Sequence, residues 1–457
     1  MEMRGQGIIL IGLLMVGGCV KAPQTGENVL EVEVPQAWSD GIPALVENDW
    51  VRTFGDSQLE ALIEEGLSGN LTLRAGLARL EQAEALARIE GAGRLPSVSV
   101  GASGQRSMSN NLQDPPIRNR SDRFNVDASV SWELDIWGRV RAQARAGKAD
   151  ALAAGETYRA LRLSIAARIT QAWFGAVAAR QQEALAQETL ESFEANLTTV
   201  DERFRRGLSP ALDLRLTRAN VANARSTYNL QKRLADGAVR QLEVLLGRYP
   251  SGTLVTTATL PELDEPVPAG VPADLLERRP DILAAQDSLV AAGYRVQESK
   301  KSLLPAISLT ARYGRASGDL EDILKDSFDV WSLLGNLTAP VFQGGRLRAN
   351  VKRSEARLAE AVASYQSVVL TAFREVESAL VDETLLSEQL DAVKMAAEES
   401  IGAQELAEER YERGLVDIIT VLESQRRAFN SRSNQLNVQN QLLQNRVSLY
   451  LSLGGDI

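Results

Sequence analysis

The chain reads as an α+β membrane protein made of two copies of a strand-strand-long-helix unit. Three observations predict it: a pattern that recurs at a constant offset, four segments that alternate apolar and polar residues, and two long stretches free of proline. Alternation with period two is the mark of a half-buried strand, and long proline-free stretches allow unbroken helices.

The repeat is the firmest of the three. Glu202-Arg203-Phe204-Arg205-Arg206-Gly207-Leu208 matches Glu409-Arg410-Tyr411-Glu412-Arg413-Gly414-Leu415, 207 positions on. At the same offset of 207, Gly138-Arg139-Val140-Arg141-Ala142 matches Gly345-Arg346-Leu347-Arg348-Ala349, and Leu246-Gly247 matches Leu453-Gly454. Upstream the offset becomes 209, pairing Leu95-Pro96 with Leu304-Pro305. A match sustained over so many residues indicates a duplicated unit.

Composition narrows the function. Of the 457 residues 44% are hydrophobic but only 5% aromatic, so the apolar content is aliphatic, as long helices prefer. A net charge of -10, from 50 basic and 60 acidic residues, argues against nucleic acid as a partner. The chain has no histidine, which removes the commonest general base and metal ligand, and its single cysteine, Cys19, has no internal disulfide partner. No phosphate-binding glycine loop is present, and the protein is read as a non-enzyme without a bound cofactor.

From the N-terminus, Arg4 precedes an apolar run from Ile8 to Val16, too short to span a bilayer but right for a signal-peptide core. Residues 1–18 are therefore expected to be removed. Val16-Gly17-Gly18-Cys19 resembles a bacterial lipoprotein cleavage site, leaving Cys19 as the acylated N-terminus of an extended segment, 19–55. The first repeat, 56–247, holds a helix, strands at about 95–107 and 122–134, a long helix over 138–206 and a return helix over 210–247. Ser209 is the expected N-cap, with Pro210 at the first helical position. The proline-rich segment 248–272 is a linker belt around the helices. The second repeat, 273–457, holds helix over Leu275 to Lys301, with Arg278-Arg279-Pro280-Asp281 at a helix start and Pro280 in its first turn, strands at about 303–315 and 328–341, a long helix over 345–413 and a return helix over 417–453.

In the strands Phe124, Val126, Ala128, Val130 and Trp132 face one way, and Asn125, Asp127, Ser129, Ser131 and Glu133 the other. Ile307, Leu309, Ala311 and Tyr313 repeat the alternation, while Leu334 falls on the polar face of the fourth strand. Strands of about 9 to 11 residues with one apolar and one polar face suit a membrane barrel. Four strands cannot close a barrel and open edges are not tolerated in lipid, so several chains must pool their strands. Along the second long helix Leu358, Val362, Tyr365, Val369, Ala372, Val376, Ala379, Leu386, Leu390, Val393 and Ala397 trace a coiled-coil seam broken at Glu383. The competing reading is a lipid-anchored periplasmic coiled-coil scaffold without a channel.

Ser131-Trp132-Glu133-Leu134-Asp135-Ile136-Trp137-Gly138-Arg139, Glu277-Arg278-Arg279-Pro280-Asp281-Ile282 and Pro340-Val341-Phe342-Gln343-Gly344-Gly345-Arg346, with Trp50-Val51-Arg52-Thr53-Phe54-Gly55-Asp56, closely resemble the TolC/OprM-like outer-membrane efflux factors. The resemblance covers essentially the whole mature chain. It implies a homotrimer whose pooled strands close one β-barrel in outer-membrane lipid and whose helices form a long periplasmic α-helical barrel. It further implies a passive exit duct for small molecules, docked through a periplasmic adaptor to an inner-membrane efflux pump. Val20 after Cys19 then fits outer-membrane sorting.

The resemblance also assigns residues at the periplasmic tip. Ile419 and Glu423, four apart on one helix face, correspond to the apolar and acidic rings of the constriction. Three Glu423 carboxylates on one axis should favour cations and raise the protonation of one another. Asp213 and Tyr411 correspond to a pair that hydrogen-bonds the two hairpins and latches the tip, with Val416 where some members carry an arginine. Gly207, Leu208, Gly414 and Leu415, at the turns, are the expected adaptor contacts.

Overall fold

The computed structural model describes residues 34–39, 49–110, 115–256, 259–263 and 267–455; the signal segment and Cys19 lie outside the described residues. These fall into two compact units. One comprises residues 90–146 and 289–358, and the other the described parts of 34–89, 147–288 and 359–455.

The first unit is built on a four-stranded antiparallel sheet in the order β1-β2-β3-β4, with β1 Ser97–Asn110, β2 Arg118–Glu133, β3 Ala306–Ser317 and β4 Asp329–Thr338. Register places Val98 opposite Val130, Val130 opposite Ala311 and Ala311 opposite Leu333. One face of the sheet is thus apolar across all strands. The other carries Ser99, Ser129, Asp127 and Arg312, and here Leu334 sits opposite Thr310 on the polar face. Val100 is 78% exposed and Trp331 77%, values that a water-soluble sheet would not leave on its apolar side. The sheet ends at β1 and β4, whose free backbone groups must be paired before the sheet can sit in lipid.

The second unit is helical. The long helices α3, Arg139–Arg205, and α7, Arg346–Glu412, have 67 residues each, and the return helices α4, Ala211–Leu245, and α8, Ile418–Ser452, have 35 each. The seam expected on α7 is buried at Tyr365, Val369, Ala372, Val376, Ala379, Leu390 and Ala397. Each large aliphatic side chain so buried contributes about 1.5–3 kcal/mol. At the break in that seam Glu383 pairs with Arg446 of α8 at 2.6 Å, and Asn445 Nδ2 donates to it at 2.9 Å. The interruption is a buried ion pair between neighbouring helices, not a gap in packing.

Two stretches expected to be helical are each divided. The first divides at Asn70 into α1, Ser57–Gly69, and α2, Leu71–Ala92; the second divides at Arg279 into α5, Leu275–Arg278, and α6, Pro280–Lys301. Both break residues have extended backbone, with ψ 123° and 120°. Pro280 disfavours the helical conformation at Arg279, and Asn70 caps α2 by accepting from Thr72 N and Leu73 N. Each then reaches the end of a return helix. Asn70 Nδ2 donates to Leu245 O at 2.7 Å, and Arg279 Nη1 to Ser452 O at 3.1 Å. The arginine-proline motif of the second repeat is therefore the charged counterpart of this link. Arg279, 7% exposed, is held by Asp281 at 2.7 Å and Glu375 at 2.8 Å.

The tryptophan motif before α1 has an equally local cause. Trp50 and Phe54 bury themselves in a short helical turn against Tyr450 and Phe174, with ring centroids 5.6 and 5.0 Å apart. Asp56 caps α1 through Gln58 N and Leu59 N and accepts from Trp173 Nε1 at 2.7 Å.

Candidate functional site at the helical tip

Both hairpins reverse by the same mechanism. Gly207 and Gly414 have φ of 74° and 77°, a conformation in which an added Cβ is strained although space around both is open. Leu208 N donates to Arg203 O at 2.8 Å and Gly207 N to Phe204 O at 2.9 Å; Leu415 N and Gly414 N repeat this to Arg410 O and Tyr411 O. These bonds close the last turn of each long helix. Leu208 and Leu415 are left 66% and 69% exposed. α4 starts one residue later than expected: Pro210 occupies the N-cap position without a side-chain cap, so Ser209 does not cap the helix. Pro210 fixes φ but offers no side-chain acceptor, and the extended residue is the proline itself.

Behind the turns the hairpins share one core, in which Val200 and Leu214 meet Ile418, Val421 and Leu422, with Val416 packed at its edge. Tyr411, 8% exposed, belongs to this core. The expected hydrogen bond between Asp213 and Tyr411 is not formed, since the Tyr411 hydroxyl is buried with no partner. Arg203 of α3 takes hold of Tyr411 instead. Its guanidinium lies 4.8 Å from the ring centroid, and its Nη1 donates to Tyr411 O at 3.4 Å. This cation-π contact clasps one hairpin to the other at the edge of the shared core. Asp213 is half-buried in the first turn of α4, where its carbonyl accepts from Thr217 Oγ1 at 2.8 Å.

Ile419 is 55% exposed, while its neighbour Ile418 is 1% exposed in the core. Glu423 lies one turn further on, paired with Arg426 at 2.6 Å and Arg427 at 2.9 Å. Hydrogen bonds from Arg426 first, then Arg427, hold its carboxyl below the ordinary value. Within one subunit two cations thus face this acid, a contribution that acts against the mutual repulsion expected of three Glu423 carboxylates.

Two further contacts tie the hairpins, and one of their residues also braces its own hairpin. Gln425, 3% exposed, donates to Ser192 Oγ at 3.0 Å and to Glu408 at 2.8 Å. Arg432 forms a two-pronged pair with Glu188 at 2.8 and 2.9 Å, and that guanidinium holds the Glu188 carboxyl below its ordinary value. A cleft of about 220 Å³ lies between α3, α4 and α8, lined by Asn220, Asn223, Asn430, Arg426, Phe193 and Phe429. Of these residues Arg203 was within reach of sequence reasoning, because it and Arg410 occupy one position of the repeat. Nothing in the chain order links Gln425 to Ser192.

A sheet with one lipid-ready face and two edges open for further strands, together with a duplicated pair of helical hairpins, defines the subunit of an outer-membrane channel. The sequence matches the outer membrane efflux protein family over residues 62–248 and 271–455, and the chain belongs to that family. It is 32% identical to outer membrane protein OprJ of Pseudomonas aeruginosa over 99% of this chain and 95% of that protein. It is 30% identical to the toluene efflux pump outer membrane protein TtgI of Pseudomonas putida over 99% and 98% of the two chains. Among solved structures, the open state of the MtrE channel of Neisseria gonorrhoeae is 27% identical, with a TM-score of 0.85 over 96% of this chain and 98% of that one. The protein is a non-catalytic outer-membrane exit duct, trimeric, with a large periplasmic helical region, and works with an inner-membrane pump and a periplasmic adaptor. The scaffold reading is set aside by the family and by the apolar face of the sheet.

Proposed function

We propose that this duct exports small organic compounds of the drug or solvent kind, through a tip closed by the Arg203–Tyr411 clasp. The observation that carries the choice of cargo is the pairing of Glu423 with Arg426 and Arg427 beside exposed Ile419. A path for cations needs net negative charge at its narrowest ring, and this pairing cancels it. Relatives of similar identity carry different cargo in their names: TtgI is a toluene efflux protein, and CusC of Escherichia coli, 29% identical, a cation efflux protein. The tip chemistry is what supports an organic cargo here.

In this reading Ile419 and Glu423 line the constriction, and Gly207, Leu208, Gly414 and Leu415 receive the adaptor. Cys19 carries the lipid, so Cys19→Ser is expected to abolish palmitate labelling. The cargo is tested in a strain lacking its own duct and carrying this chain with its pump and adaptor. Restored tolerance to toluene and hydrophobic dyes, without restored tolerance to copper or silver, is the expected result; the reverse pattern would overturn it.

A further inference from the structure

The strand-to-helix junctions of the two repeats share a motif but not its counter-charges. In the first, Arg139 is held by Glu133 at 2.7 Å, Arg141 by Asp135 at 3.2 Å, and Arg145 lies 5.9 Å from the Tyr294 ring. Asp135 also accepts from Val140 N and Arg141 N at 3.0 and 2.8 Å, giving the start of α3 the anionic cap that a helix N-terminus prefers. At the offset of 207, Arg346, Arg348 and Lys352 stand in place of Arg139, Arg141 and Arg145, whereas Glu133 and Asp135 are replaced by Pro340 and Phe342.

Among the described residues of the chain the second junction is thus cationic and uncompensated. α7 has no acidic residue in its first turn. Arg346 donates to the neutral Gln343 at 2.5 Å, and Glu355, the acid within reach along the helix, is taken by Lys300 at 2.8 Å. Arg346, Arg348, Lys352 and Arg353 form no ion pair among the described residues. All four are exposed, while Leu347, Asn350, Val351 and Ser354 are half-buried on the opposite side of the helix. Just before them Val341 and Phe342 are 95% and 87% exposed.

An apolar pair followed within two turns by four unpaired cations, directly after the membrane-facing strand β4, matches the boundary between acyl chains and headgroups. We propose that this junction seats anionic phospholipid headgroups on the periplasmic side of the outer membrane. Val341 and Phe342 enter the acyl region, and the headgroup phosphates give Arg346, Arg348, Lys352 and Arg353 the negative charge that the first junction draws from its own carboxylates.

The test is native mass spectrometry of the full-length trimer in detergent, offered phosphatidylglycerol and phosphatidylcholine at equal concentration. Each interfacial cation strengthens such binding roughly fivefold, so phosphatidylglycerol should be retained at least about fivefold over phosphatidylcholine. In Arg346→Gln/Arg348→Gln/Lys352→Gln/Arg353→Gln the two lipids should be retained alike, whereas Arg139→Gln should keep the preference. If the fourfold variant does not trimerise, Arg346→Gln/Arg353→Gln is expected to lower the preference in part. Equal retention by the wild type, a preference unchanged in either cation variant, or displacement of the lipid by excess inorganic phosphate would overturn the proposal.

Discussion

The two hairpins have helices of 67 and 35 residues each, yet they fill one equivalent layer with opposite chemistry. In the first hairpin the layer is Ala176 and Val239, both 0% exposed; 207 positions on it is Glu383 and Arg446, paired at 2.6 Å. Close packing fixes helix length and spacing, and either an apolar pair or a well-bonded ion pair satisfies it. The difference teaches that duplication preserved the geometry of the rods and left their internal contacts free to diverge. An ion pair of this kind is costly to break on one side but not required for stability.

That claim can be broken directly. Arg446→Met leaves Glu383 buried and unpaired and should lower stability by about 3–5 kcal/mol, while Glu383→Leu/Arg446→Met should recover nearly all of it. Thermal unfolding of the purified trimer checks both, and equal losses in the single and double variants would count against the comparison. The paired links at the helix breaks come next. Arg279→Met removes the buried partner of Asp281 and Glu375, which are 41% and 40% exposed and so stay hydrated, and should cost about 2–3 kcal/mol, whereas Asn70→Ala, which removes a neutral cap and one bond, should cost about 1–2 kcal/mol. The same melts, run side by side, give the order.

The smallest expected effect is a pH dependence. The Glu188 carboxyl is depressed by Arg432, so the pair stabilises the fold above the ordinary carboxylate value and is lost as pH falls through the lower folded value. Because Glu188 is 61% exposed, screening keeps the contribution below about 1 kcal/mol. Asp287 acts in the other direction: burial, then Glu156, raises its carboxyl, so acidification through that raised value relieves a penalty. Melting temperatures in acid should therefore fall less for Arg432→Gln than for the wild type, and more for Asp287→Asn.

Much of the architecture was legible because it rests on local rules. Strand alternation gave the face of each strand, including the misplaced Leu334, and Gly207 and Gly414 marked the turns because a left-handed residue is needed there. The helix break at Asn70 was not legible from periodicity, since the apolar pattern continues across it and the deciding bond runs to the far end of the repeat, whereas Pro280, placed in the first turn of a helix, does open α6. At the tip, Tyr411 was located but its partner was not. The hydroxyl suggested a carboxylate, whereas the ring and backbone carbonyl engage Arg203. The pairing of Glu423 with Arg426 and Arg427 lay in plain sight at three- and four-residue spacing, and a ring picture built from Glu423 alone passed over it.

In the proposed duct Arg203 on Tyr411 holds the tip nearly shut. Single-channel conductance of the purified trimer in planar bilayers, for the wild type and Arg203→Gln, tests it most directly. Small steps in the wild type that become several times larger in Arg203→Gln are predicted; steps of one size in both proteins, or no conductance from folded trimer, would contradict it.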